Sequence, residues 1–157
     1  MGREAVFHQQ FAGNCYETPS DKCLSAGIGP KAYDCSGLAI ASICDVLGKP
    51  VGSWPAGMRH VREIWHVASQ ATTEPIFTQT GYEEGALLIF RRVYDVHGYK
   101  EVVAGHLAIA SLIQGDAVTY LHANSNMGTV EERELRSPHS VLGSVLVNQA
   151  QISTYLP

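Results

Sequence analysis

The sequence has few charged residues and no block of like charge. Only 17% of its 157 residues are charged, whereas an average soluble domain has about 25%. The net charge is −4, and no run of five like charges occurs. Without a basic stretch, nucleic-acid binding is a poor hypothesis. With 45% hydrophobic residues, the chain is expected to fold as one compact domain over residues 1–157.

Long apolar stretches are also missing. No run approaches the roughly 20 residues of a membrane span, so we expect none. The opening segment, Met1 to Val6, lacks the apolar region of a signal peptide. The route by which the protein would leave the cell stays open: it could be secreted otherwise, delivered by a phage, or be an excised domain.

The cysteines do not have the spacing of a metal site. Cys15, Cys23, Cys35 and Cys44 form neither a CxxC pair nor a zinc-finger pattern. We therefore predict no metal and no organic cofactor, and a thiol-redox protein is a weak alternative. A disulfide between Cys15 and Cys23 stays open, because spacing alone cannot establish it. Cys44 is expected to be a small core residue.

The most informative stretch surrounds Cys35, where a polar, glycine-rich loop changes into an apolar run. Asp34 is a good N-cap, and residues 35–47 are apolar nearly all round, which predicts a buried helix that ends at Gly48. Cys35 would then lie at the helix N-terminus, where unpaired N–H groups and the helix dipole favour the reactive thiolate.

The rest of the chain predicts an α+β domain. A short helix is expected over residues 4–12, a loop over 13–32 and a second helix over 56–69. Residues 94–100 are expected to be a connector between the first two of about five strands. Helices followed by sequential strands indicate a mainly antiparallel sheet with the N-terminal helices packed on it. The predicted strands are 86–90, 102–113, 117–123, 128–135 and 141–147.

Two histidines lie within predicted strands, and counting along the hairpin tests whether they meet. If residues 113–115 form a three-residue loop, Leu112 pairs with Asp116. The same register places His106 directly opposite His122, on one face of the sheet. A two-residue loop would place them on opposite faces.

These residues match the requirements of an activated thiol. Cys35 would attack a carbonyl carbon as a thiolate, while His106 would hold the ion pair and later protonate the leaving amine. His122 would fix the ring and tautomer of His106, and backbone N–H groups at the helix start would stabilise the oxyanion. The small side chains of Ala108 and Ala110 would leave room for the helix end.

Four segments resemble the NlpC-like cell-wall cysteine peptidases, which have a papain-like fold. In chain order they are the Asp-Cys-Ser-Gly-Leu segment at the helix start, the Gly-Ala-Leu-Leu-Ile-Phe strand, the Gly-His-Leu-Ala-Ile strand and the Leu-His-Ala strand. The match runs from about residue 23 to residue 135. The resemblance implies that Cys35 is the nucleophile, His106 the base and His122 the third polar residue.

The resemblance also implies a substrate. Members of this family typically hydrolyse amide bonds in peptidoglycan stem peptides, often between D-glutamate and the following diamino acid. We therefore expect a monomer that acts at the bacterial cell wall on a stem peptide. Tyr33, Asp34 and Ser36 flank the nucleophile and are candidate substrate contacts.

Three positions depart from the family pattern. Cys23 stands where many members have a tyrosine, Ala86 replaces an aspartate, and residues 56–58 stand in place of an Arg-Ser/Thr-Ser segment. Two alternatives stay open: a related amidase that cuts between the sugar and the first alanine, and a non-catalytic wall-binding or phage structural module. A binding module would not need Cys35, His106 and His122 together.

Overall fold

The computed structural model describes residues 35–124 and 129–156. Its helices are α1 (Cys35–Leu47), α2 (Val61–Ser69) and α3 (Gln149–Tyr155), and short 3-10 helices span Val51–Ser53, Ala56–Met58 and Pro138–Ser140. The strands are β1 (Phe77–Thr80), β2 (Leu87–Val96), β3 (Tyr99–Gln114), β4 (Ala117–Asn124), β5 (Thr129–Glu134) and β6 (Val141–Val147). Within these ranges no helix is both long and apolar enough to cross a membrane. The helix expected over 4–12 and the loop over 13–32 lie outside the described residues.

The strands form one six-stranded sheet in the order β1-β6-β2-β3-β4-β5, and every pair is antiparallel. This confirms the α+β class and the antiparallel sheet. The prediction of about five strands missed β1, which is only four residues long and mostly polar. Such a short strand carries too little alternation to be recognised before its partner β6 is known.

Helix α1 is buried as its composition predicts. Nine consecutive residues from Ser36 to Cys44 are buried, and the helix packs on β3 and β4. Its apolar side chains share one core cluster with Leu107, Ile109 and Leu121. Because side chains alternate along a strand, the neighbours of these residues face the other side of the sheet.

A second, smaller cluster covers that other side. It contains Leu88, Ala108, Ala110 and Val118, with Phe90 and Tyr120 packed against it. The prediction that Ala108 and Ala110 leave room for the end of the Cys35 helix is therefore wrong. Their small side chains pack against Leu88 and Val118, on the side of the sheet away from the α1 cluster.

Residues 94–100 are not a connector, as the sequence had suggested, but the closed end of a long β2–β3 hairpin. The turn consists of His97 and Gly98, with φ values of 53° and 84°. Positive φ at both positions matches a two-residue hairpin turn, whose twist fits the strands. The N–H of Gly98 donates to Oδ1 of Asp95 at 3.1 Å and closes the turn.

The second predicted helix is shorter than expected. Its first residues, Ala56–Met58, form a separate 3-10 helix, and α2 begins at Val61. The break lies at His60, whose extended backbone precedes the helix and whose N–H donates to Oε1 of Glu63 at 3.0 Å. This contact satisfies a donor at the true helix start.

A bulge in β3 lies immediately before His106. Phe90 pairs with His106, but Arg91 pairs with Ala104, so Gly105 has no partner on β2. A Cβ at Gly105 would collide with the Cβ of Arg92, which explains why glycine occupies this position. Bulges of this kind change the direction of the following side chain.

Candidate active site

His106 and His122 are in direct contact. Nε2 of His106 lies 2.8 Å from Nδ1 of His122. The two rings meet edge to face, with their centroids 5.0 Å apart. The prediction that both side chains share one face of the sheet is thus confirmed. His122 is only 8% exposed, so this hydrogen bond is shielded from water.

The two histidines are not directly opposite each other, as the hairpin count had predicted. Gln114 pairs with Ala117, so the turn has two residues, and this alone would separate the histidines onto opposite faces. The register then shifts between Ala110 and Leu112. This second bulge restores the shared face and makes the histidines diagonal neighbours.

Glu131 extends this contact to a third residue. It pairs with His122 across β4 and β5, and its Oε1 lies 3.1 Å from His122 Nε2. The same oxygen accepts a hydrogen bond from Nε of Arg133, two residues along β5. The result is a chain of polar contacts from Arg133 through Glu131 and His122 to His106.

The chemistry of this chain assigns the proton positions. An ionised Glu131 can only accept, so Nε2 of His122 carries the proton. In a neutral His122 the Nδ1 atom is then the acceptor, and Nε2 of His106 must donate to it. Nδ1 of His106 therefore keeps its lone pair, which is the state that a general base needs.

The surroundings of His106 keep it neutral. The pKa of His106 is lowered to about 4. Burial is the largest cause, and electrostatic interactions with the nearby His122 and Arg92 lower the pKa further. Burial also lowers the pKa of His122, although the hydrogen bond that its ring donates to Glu131 partly opposes this. These shifts disfavour the expected standing ion pair with Cys35. They favour a neutral His106 that accepts a proton only during the reaction.

Cys35 is the first residue of α1 and is half-buried against the main core cluster. Ser36 follows it and is buried, and its Oγ accepts a hydrogen bond from Nη1 of Arg59 at 2.8 Å. This contact ties the segment before α2 to the first turn of α1. Tyr33 and Asp34 lie outside the described residues, so the substrate-binding role given to them and to Ser36 stays a prediction.

Two aromatic rings border the histidines on their side of the sheet. The ring of Phe90 lies 5.8 Å from that of His106, and the ring of Tyr120 lies 5.2 Å from that of His122. Phe90 and Tyr120 also contact each other at 5.3 Å. Together the two rings cover one side of the histidine pair.

The described residues give no support to a metal site or to a second reactive cysteine. In the described part of the chain, no group of His, Cys, Asp or Glu side chains could hold a metal ion. Cys44 is buried as predicted, and burial raises its pKa to about 11, which makes it an unreactive thiol. Cys15 and Cys23 lie outside the described residues, and so does their suggested disulfide.

Sequence reasoning missed Glu131, although a signal existed. Asn124 pairs with Thr129, and the same register places His122 opposite Glu131. Counting along this second hairpin would have found the carboxylate. Phe90 and Tyr120 gave no such signal, because aromatic residues in a strand are usually ordinary packing residues.

No protein-family model matches the sequence, and no curated protein matches it either.

Proposed function

We propose that the protein is a cysteine peptidase that hydrolyses an amide bond in peptidoglycan stem peptides, with the arrangement of a papain-like site. The observation that carries the proposal is the hydrogen-bonded chain from the half-buried His106 through the buried His122 to the half-buried Glu131. It holds His106 in the tautomer whose Nδ1 lone pair is available, and this supports the role of general base that we assign to it. The family resemblance supplies the nucleophile and the substrate.

In this mechanism, Sγ of Cys35 attacks the carbonyl carbon while Nδ1 of His106 takes the thiol proton. Backbone N–H groups at the start of α1 stabilise the oxyanion. The tetrahedral intermediate collapses as His106 returns the proton to the leaving amine and the C–N bond breaks. Water, deprotonated by His106, then cleaves the thioester, and the thiol recovers its proton.

The proposal sets one geometric requirement. α1 packs on the side of the sheet that carries Leu107, while strand alternation places His106 on the other side. The N-terminus of α1 must therefore bring Cys35 to the bulged section of β3, where His106 follows Gly105. The hydrogen bond that Arg59 donates to Ser36 helps to hold this first turn of α1 in place.

Digestion of purified peptidoglycan tests the proposal. We expect the wild-type protein to release fragments that end in D-glutamate, and Cys35→Ala to release none. Cys44→Ala, which removes the buried thiol instead, should retain cleavage and serves as the matched control. Circular dichroism would verify that each variant is folded.

Mass analysis of the fragments separates the alternatives. Fragments that persist with Cys35→Ala would overturn the nucleophile assignment. Stem peptides released with a free alanine amino terminus would favour the amidase. A wild-type protein that binds the wall without releasing fragments would favour a non-catalytic module.

A further inference from the structure

His106 does not give the thiol of Cys35 a positive neighbour at rest. The pKa of His106 is lowered to about 4, so its ring is uncharged near neutral pH. A thiol becomes reactive when a nearby cation lowers its pKa, because the thiolate is the nucleophile. A cation from another element would therefore support the attack that the mechanism assigns to Cys35.

Arg59 brings a positive charge to the first turn of α1. It lies between the 3-10 helix Ala56–Met58 and α2, and it is half-buried. Its Nη1 donates to Oγ of Ser36 at 2.8 Å, and Ser36, which directly follows Cys35, is only 3% exposed. A guanidinium keeps its charge in proteins, and its field is stronger where water is partly excluded.

The backbone on both sides of Arg59 is held in place. On one side, Nε1 of the buried Trp54 donates to the carbonyl oxygen of the buried Met58 at 2.7 Å. On the other side, the N–H of His60 donates to Oε1 of Glu63 at the start of α2. The contact between Arg59 and Ser36 is therefore set by the packing of this segment against the core.

The other charged groups near α1 do not replace this cation. The first turn of α1 contains no acidic residue, and Asp45 lies ten residues further along the helix, about 15 Å away. On the segment of Arg59, Arg62 is exposed and Glu63 bonds to the N–H of His60. Asp34 lies outside the described residues.

The strands that pack against α1 also carry titratable groups. They are Tyr99, Lys100, Glu101, His106, Tyr120 and His122. The pKa values of both histidines are lowered, and tyrosine is uncharged at neutral pH. Lys100 and Glu101 are exposed near the closed end of the β2–β3 hairpin. In the described part of the chain, the charge in contact with the first turn of α1 is thus that of Arg59.

We propose that Arg59 is a positioning residue that holds the first turn of α1 through Ser36 and stabilises the thiolate of Cys35 by its positive charge. The inference rests on the proposed function, which assigns the nucleophile to Cys35. Arg59 then supplies the charge that a resting imidazolium would otherwise provide. His106 stays neutral and is ready to accept the thiol proton at Nδ1.

The pH dependence of Cys35 alkylation tests this role without any substrate. The full chain is treated with iodoacetamide at a series of pH values, and mass spectrometry of the digested protein follows Cys35 separately from the other cysteines. Arg59→Gln retains a donor for Ser36 but loses the charge, so we expect the pKa of Cys35 to rise by about one unit. Arg59→Lys keeps the charge and should remain close to the wild type. Arg62→Gln, at an exposed site on α2, should leave the pKa unchanged.

Two results would overturn the inference. One is an unchanged pKa of Cys35 in an Arg59→Gln protein that keeps the wild-type circular dichroism spectrum. The other is an equal rise in Arg59→Gln and Arg59→Lys, which would show that the geometry of the arginine matters and its charge does not.

Digestion of peptidoglycan by the same proteins separates this inference from the proposed function. If Arg59→Gln alone raises the pKa of Cys35 but no Cys35-dependent cleavage is found, the peptidase proposal fails and the role of Arg59 is supported. If cleavage depends on Cys35 while the pKa of its thiol is the same in the wild type and in Arg59→Gln, the role of Arg59 fails and the peptidase proposal is supported.

Discussion

Replacing His106 with alanine will lower kcat/KM for a stem peptide by about 10³-fold or more, because general acid–base catalysis contributes about 10² to 10⁴. The loss reflects the missing proton acceptor for Cys35 and the missing donor for the leaving amine. Steady-state kinetics on a defined tetrapeptide measures it. His66→Ala, which removes an exposed histidine on α2, should keep full activity.

Loss of folding could imitate this result, so His106→Gln provides a second variant of similar size. Both variants should keep the wild-type circular dichroism spectrum, and both should lose cleavage. Because the pKa of His106 is lowered to about 4, the wild-type rate should not fall with acid until well below pH 6.5. A folded His106→Gln protein with wild-type kcat/KM would show that the base lies elsewhere.

Replacing Glu131 with glutamine will lower kcat/KM by about 100-fold, although Glu131 does not touch the substrate in this mechanism. A glutamine can turn either its oxygen or its amide nitrogen toward His122, so it no longer dictates the tautomer of that ring. Where a carboxylate contacts the base directly, a wrong tautomer lowers kcat by about 10⁴. Here His122 lies between Glu131 and the base, so we expect a smaller loss. Glu101→Gln, at an exposed site on β3, is the matched control.

Nitrogen NMR of the imidazole rings gives a readout that does not depend on activity. In the wild type we expect protons on Nε2 of both His106 and His122. In Glu131→Gln these signals should shift toward a mixture of tautomers, and the pKa of His122 should fall further because the carboxylate no longer raises it. Unchanged ring signals together with unchanged kinetics would make Glu131 a structural residue only.

The sequence was most informative where strong local patterns coincide. The dense apolar run after Asp34 predicted α1 with its observed bounds, Cys35–Leu47. The α+β class and the antiparallel sheet followed from the order of the elements. The shared face of His106 and His122 was also predicted, but from a three-residue loop. The loop between β3 and β4 has two residues, and the bulge between Ala110 and Leu112 compensates for the difference.

Features that depend on tertiary contacts could not be predicted. The bulge at Gly105 is explained by its approach to Arg92, a neighbour known only after strands β2 and β3 are paired. The low pKa of His106 needs the burial that the whole fold produces. The side of the sheet on which Ala108 packs is likewise set by Leu88 and Val118, which no local spacing reveals.

Mass spectrometry of the enzyme during turnover tests the central claim most directly. A stem tetrapeptide is mixed with the wild-type protein, the reaction is stopped with acid, and the protein is digested and mapped. A thioester intermediate predicts that the acyl half of the substrate is attached to Cys35, and that His106→Ala accumulates little of it. The account would be contradicted if the wild-type protein carried the acyl group on a residue other than Cys35. It would also be contradicted if the Cys35→Ala protein formed products as fast as the wild type.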